Sequence, residues 1–176
     1  MRDFTFGLKI LAVPALFIAA TPAMAQSKAS FSQNSRNGVC YFSVQGPNAP
    51  GTDKPMKLEF SYRVSDGNLA ASILVNGWPR AQAGDPEKSI PMTVTFDAGQ
   101  PRPSRSGGYS SGFNDIAWGG WGAGMPSEIV MQSMKEARTV RIEFDGMKLG
   151  PFDLQGKGLA YTSLTECADR VEAGGS

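Results

Sequence analysis

The sequence predicts a mainly β protein: a single antiparallel, sandwich-like β domain of about seven strands with two short helices. Three observations carry this. Apolar and polar residues alternate with period two, most cleanly where Leu58, Phe60, Tyr62 and Val64 share one face and Lys57, Glu59, Ser61 and Arg63 the other. Hairpin and turn dipeptides, Asp66-Gly67, Asn76-Gly77 and Asp145-Gly146, punctuate the alternating stretches. Helical periodicity is confined to two short segments near the C-terminus.

The first 25 residues are read as a cleavable signal peptide and set aside. Arg2 and Lys9 make a positive start, Ile10 to Ala20 is an apolar run, and Ala23-Met24-Ala25 offers small residues at a cleavage site before Gln26. The run is short for a membrane span and is interrupted by Pro14. No cysteine lies at the cleavage point, so no lipid attachment is indicated there. Export to the periplasm, or secretion beyond it, is expected.

Removing 25 of 176 residues leaves 151, a length suited to one domain that buries roughly 70% of its unfolded surface. The expected organisation is a flexible lead-in at 26–37, one β-rich domain at 38–172, and a tail at 173–176. Without Arg2, Lys9 and Asp3 the chain has 15 basic and 15 acidic residues, which argues against nucleic acid or an anionic membrane as partner. No later apolar run approaches spanning length, so no membrane insertion of the mature chain is expected.

Cys40 and Cys167 are the only cysteines, and in an exported chain they read as a disulfide. The rival is a nucleophilic or metal-binding thiol. No histidine exists to serve as base or co-ligand, and two thiols alone make a poor zinc site. No metal and no cofactor is therefore expected.

Taken in order, Val39 to Val44 is a strand with Cys40, Phe42 and Val44 on one face. Prolines 47, 50 and 55 make the next stretch a loop. The alternating strand at 57–64 leads through Asp66-Gly67 into Leu69–Val75, which is apolar on both faces and so belongs centrally in a sheet. After Trp78-Pro79 comes an irregular passage, then a strand at Met92–Phe96. From Asp97 to Met125 the chain is rich in Gly, Pro and Ser and reads as a long loop, apart from a short strand around Ile116. Pro126 and Glu128 suit the first turn of a helix whose expected inner face is Ile129, Val130, Ser133, Met134 and Ala137. A hairpin of strands, Thr139–Phe144 and Lys148–Leu154, precedes a last helix with the stripe Ala160, Leu164, Cys167 and Val171.

That C-terminal pattern, a short helix, the hairpin Thr139-Val140-Arg141-Ile142-Glu143-Phe144-Asp145-Gly146, then Phe152-Asp153-Leu154-Gln155-Gly156 and a small-residue helix closing at Cys167, resembles exported proteins of alphaproteobacteria. The nearest named group is the invasion-associated locus B family of periplasmic proteins. The resemblance covers Glu128 to Cys167 and implies compartment and a β-rich fold. It carries over no catalytic residue. The family's N-terminal Trp shortly before a Cys is not reproduced, since Asn37-Gly38-Val39 precedes Cys40.

With no histidine, Ser-His-Asp and Cys-His chemistry is excluded. Asp115, beside Asn114 and Trp118, is the one carboxylate placed for acid–base work. The Gly-rich run 119–124 lacks the strand and lysine of a phosphate-binding loop. What remains is aromatic: Tyr109, Phe113, Trp118 and Trp121 among glycines, suited to stacking on sugars or to contacts with a protein. The competing reading has Trp118 and Trp121 folded back to plug the β core. The expected function is an exported, non-enzymatic binding protein that recognises an envelope protein or glycan through Tyr109, Phe113, Asp115, Trp118 and Trp121. A carboxylate-based hydrolase and a purely structural envelope protein are the alternatives.

Overall fold

The computed structural model describes residues 32–78, 90–111 and 113–174; the expected signal peptide and most of the irregular passage after Trp78 lie outside them. Among these residues the strands are β1 (Ser32–Arg36), β2 (Val39–Asn48), β3 (Pro55–Arg63), β4 (Asn68–Val75), β5 (Met92–Phe96), β6 (Arg102–Ser111), β7 (Asn114–Trp121), β8 (Thr139–Phe144) and β9 (Met147–Asp153). The helices are α1 (Met125–Glu136) and α2 (Leu159–Glu172). The strands form one antiparallel sheet in the order β1-β2-β3-β4-β7-β6-β5-β8-β9. The nine strands are close to the roughly seven expected, and a single curled sheet supplies both layers of the sandwich-like arrangement.

Asp145-Gly146 acts as its chemistry predicts, whereas at Asp66-Gly67 only Gly67 takes a positive φ, 67°, and residues 64–67 join β3 to β4 in place of the expected two-residue turn. Asp145 and Gly146 both take positive φ, 49° and 74°, as a tight hairpin between β8 and β9 requires. Alternation then decides the core. Leu58 and Phe60 of β3, Leu69, Ala71, Ile73 and Val75 of β4, and Val140, Ile142 and Phe144 of β8 are all buried. β4 lies between β3 and β7, the central place its two apolar faces call for.

β6 turns the corner of the sheet. Its first three residues pair with β5, Arg102 opposite Val94 and Ser104 opposite Met92, and from Arg105 onward it pairs with β7. The two halves thus face each other across the core. Phe60 of β3 stacks on Phe96 of β5 with ring centroids 6.0 Å apart. Phe152 of β9 occupies the space a side chain at Gly46 of β2 would need.

Two stretches differ from the sequence reading. The expected long loop at 97–125 holds the β6–β7 hairpin, and the expected lead-in holds β1. β6 is Gly-, Ser- and Pro-rich with little intrinsic strand preference, and pairing with β5 over its first residues and with β7 over the rest holds it extended. β1 is a polar edge strand, exposed at Asn34, Ser35 and Arg36 and joined to β2 by Asn37-Gly38, again with both φ positive at 53° and 72°.

In α1 the buried residues are Ser127, Val130, Met131 and Met134, while Ile129, expected inside, is 40% exposed. The stripe is rotated from the expected one. In α2, Ala160, Ser163, Leu164, Cys167 and Ala168 are buried, and Val171 packs at the margin of the core. Cys167 bonds to Cys40 of β2 with a Cα–Cα distance of 5.8 Å, the pairing expected from the cysteine count.

Candidate functional site

β7 alternates in an uncommon way. Asp115, Ala117, Gly119 and Trp121 point into the core, and Ile116, Trp118 and Gly120 lie on the outer face. Small residues dominate around Trp118. Its cross-strand partner in β6 is Gly107, and Gly120 follows two residues along its own strand. A Cβ at Gly107 would come within 3.2–3.5 Å of Trp118 Nε1, Cε2 and Cζ2, and one at Gly120 within 3.5 Å of Cζ3. The indole therefore lies low on the sheet, tight over Gly107 and in ordinary contact range of Gly120.

Beside it the outer face forms a groove of about 820 Å³. Register explains its shape. Tyr41, Ser61, Ala70, Gly120 and Arg105 stand opposite one another on β2, β3, β4, β7 and β6, and all five line the groove. Large residues end this row and small ones fill its middle, so it is a trough crossing four inter-strand gaps, roughly 19 Å at 4.8 Å each. Val39, Arg63 and Asn68 add a second row beside the first. Trp121, Pro103 and Pro126 of α1 complete the wall.

The rim is held by polar bonds. Asp66 Oδ2 accepts from Arg63 Nη1 at 3.0 Å, and Asp66 Oδ1 accepts from the Asn68 N–H at 3.1 Å. Against the opposing effect of desolvation, these two donors hold the Asp66 carboxyl below its ordinary value. Asn68 Oδ1 in turn accepts from the Ala123 N–H at 2.9 Å, fixing the segment that leads into α1. The lining includes two guanidinium groups and no carboxylate.

The structure separates the five residues read from the sequence. Trp118 and Trp121 meet at the groove but play different parts. Trp121 is 6% exposed and donates from Nε1 to the Pro103 carbonyl at 2.8 Å, so it is the core plug, whereas half-buried Trp118 belongs to the outer face. Tyr109, opposite Ile116 on the same outer face, is 50% exposed. Phe113, at the turn of the β6–β7 hairpin, is 86% exposed. Asp115 is 2% exposed, and its Oδ2 accepts the Trp78 backbone N–H across the Asn76-Gly77 turn. It serves as an internal brace there, with no open face toward the groove.

Trp78 itself is buried against Phe144, centroids 6.4 Å apart. Sequence reasoning missed Tyr41, Arg63 and Arg105. The outer-face alternation at 57–64 pointed to Arg63, but the other two depend on the register across five strands. Among the described residues no group of three or more His, Cys, Asp or Glu is placed to hold a metal ion, and no helix is long and apolar enough to cross a membrane. No family model matches the chain, and no curated protein or solved structure matches it either.

Proposed function

We propose that this chain is an exported, non-enzymatic binding protein of the cell envelope that takes a glycan into the outer-face groove. The observation that carries the reading is the seating of Trp118 on Gly107 and Gly120 at the side of a trough floored by Ser61, Ala70 and Gly120. An aromatic ring held in place by its own sheet offers stacking area with little rotamer freedom left to lose, which is what a sugar ring needs from a protein. The volume falls in the range of small-molecule sites, and Tyr41, Ser61, Arg63, Asn68 and Arg105 put polar groups on its walls. The leader-like N-terminus, the cystine and the resemblance of Glu128–Cys167 to periplasmic proteins support the compartment.

The test is titration of the mature protein with envelope oligosaccharides, followed by tryptophan fluorescence and calorimetry. Trp118→Ala should abolish binding while leaving the melting temperature within a few degrees of the parent, since the ring is on the outer face. Binding that survives the substitution would remove the groove from the account. A protein partner is the second reading, favoured by Phe113 and Tyr109 on the projecting hairpin. Phe113→Ala and Tyr109→Ala should then cost capture of that partner and leave sugar binding unchanged.

A further inference from the structure

Resting on the glycan reading, we infer that the groove selects acidic saccharides, with Arg105 as the main reader of the carboxylate and Arg63 as the second. Register places the two arginines. Arg105 stands directly opposite Gly120, and Trp118 directly opposite Gly107, so Arg105 and Trp118 are diagonal neighbours on one face of a two-strand pair. Diagonal neighbours lie roughly 7–8 Å apart, within reach of long side chains. A pyranose stacked on the Trp118 indole therefore carries its ring carboxylate into the range of the Arg105 guanidinium. Arg63 lies three strands away, roughly 14 Å across the trough, which suits a second carboxylate further along an oligomer.

The charge pattern is local, since the whole chain carries a formal net charge of only +1. Yet the groove lining has two arginines and no acidic residue. Of the acids nearby, Asp66 pairs with Arg63 at 3.0 Å and offsets part of its charge, which makes Arg63 the weaker reader, and Glu59, in the same cross-strand row as Trp118, pairs with Lys57 at 2.8 Å. Asp66 engages Arg63 through Nη1 and so fixes the orientation of a planar group that carries four other N–H donors. Arginine at both places suits the forked, two-bond recognition of a carboxylate, which a neutral sugar does not offer.

The experiment is calorimetric titration of the mature, disulfide-intact protein with four tetrasaccharides. Tetragalacturonate and a hyaluronan tetrasaccharide are the anionic probes; chitotetraose and cellotetraose are the neutral ones. At least one anionic probe should bind about tenfold or more tighter than either neutral one, and its affinity should fall as salt rises from about 50 to about 300 mM. Arg105→Gln should bring the anionic affinity down to the neutral level with the melting temperature unchanged, and Trp118→Ala should remove both. Neutral probes binding as tightly as anionic ones, or Arg105→Gln leaving the ratio intact, overturns charge selection while the glycan reading stands. No binding by any of the four overturns both.

Discussion

Removing the Cys40–Cys167 bond should cost this domain a large share of its stability. The two cysteines are 127 residues apart in sequence, so the bridge closes most of the chain into one loop. In the chain-entropy account a loop of that length removes about 4.9 kcal/mol of unfolded-state freedom at 25 °C. A domain of this size has a total stability of roughly 5–15 kcal/mol, so the bridge can supply a third of it or more. The measurement is urea unfolding of the oxidised parent, the reduced parent and the Cys40→Ala, Cys167→Ala variant. Both cysteines are buried, at 0% and 1% exposure, so the alanine pair also loses packing that the reduced parent keeps. The reduced parent should lose about 3–5 kcal/mol and roughly 10–20 °C in melting temperature, and the alanine variant somewhat more. The urea m-value should rise modestly in both, because an uncrosslinked chain exposes more surface when it unfolds. A loss below about 1 kcal/mol in the reduced parent would refute the reasoning, since it would mean the unfolded chain already holds its ends together.

Further outcomes follow from single positions. Gly158 takes φ of +72° at the start of α2, and a Cβ there would strike the Lys135 carbonyl, so Gly158→Ala should destabilise by about 2 kcal/mol or more in the same urea assay. Gly119→Ala should cost about 1–3 kcal/mol, because its methyl would be forced against Ser104 and Met92 inside the sheet corner. Asp97 accepts hydrogen bonds from the Arg138 and Thr139 N–H groups and the Thr139 hydroxyl; against the opposing effect of desolvation, these hold its carboxyl below the ordinary 3.8. A lowered carboxylate stabilises the fold above its unfolded value and loses that contribution as pH falls through the folded one, so stability should drop below about pH 4. Asp97→Asn should flatten that acid limb in pH-dependent thermal melts.

What was legible in the sequence was legible wherever burial is one-sided. The alternation at 57–64 and the triads at Met92–Phe96 and Val140–Phe144 identified strands, because a half-buried strand must segregate its side chains. β6 gave no such signal. Arg102 to Ser111 carries a glycine, Gly107, where Trp118 lies on the face and Arg-Pro-Ser-Arg where the pairing switches from β5 to β7, so neither stretch shows the alternation that marks a strand. The candidate site was half visible for a related reason. Trp118 stood out by residue type, but its separation from Trp121 depends on which face of β7 each occupies. The stripe of α1 was misplaced because Ile129 looked internal by hydropathy, whereas Ser127 and Met131 took the buried positions beside Val130 and Met134. Arg105 and Tyr41 are ordinary surface residues until five strands are placed in register.

The bond between β2 and α2 also orders events in time. Cys40 and Cys167 are 127 residues apart, so the linkage cannot be made until the chain has been synthesised through the last helix. At roughly 5–20 residues per second, about 6–25 s separate the appearance of the two thiols. Throughout that interval β2, β3 and β4 can pair as consecutive neighbours, while Cys40 has no partner within the chain. Correct oxidation therefore depends on the first thiol staying reduced, or being reversibly shielded, until the last helix arrives.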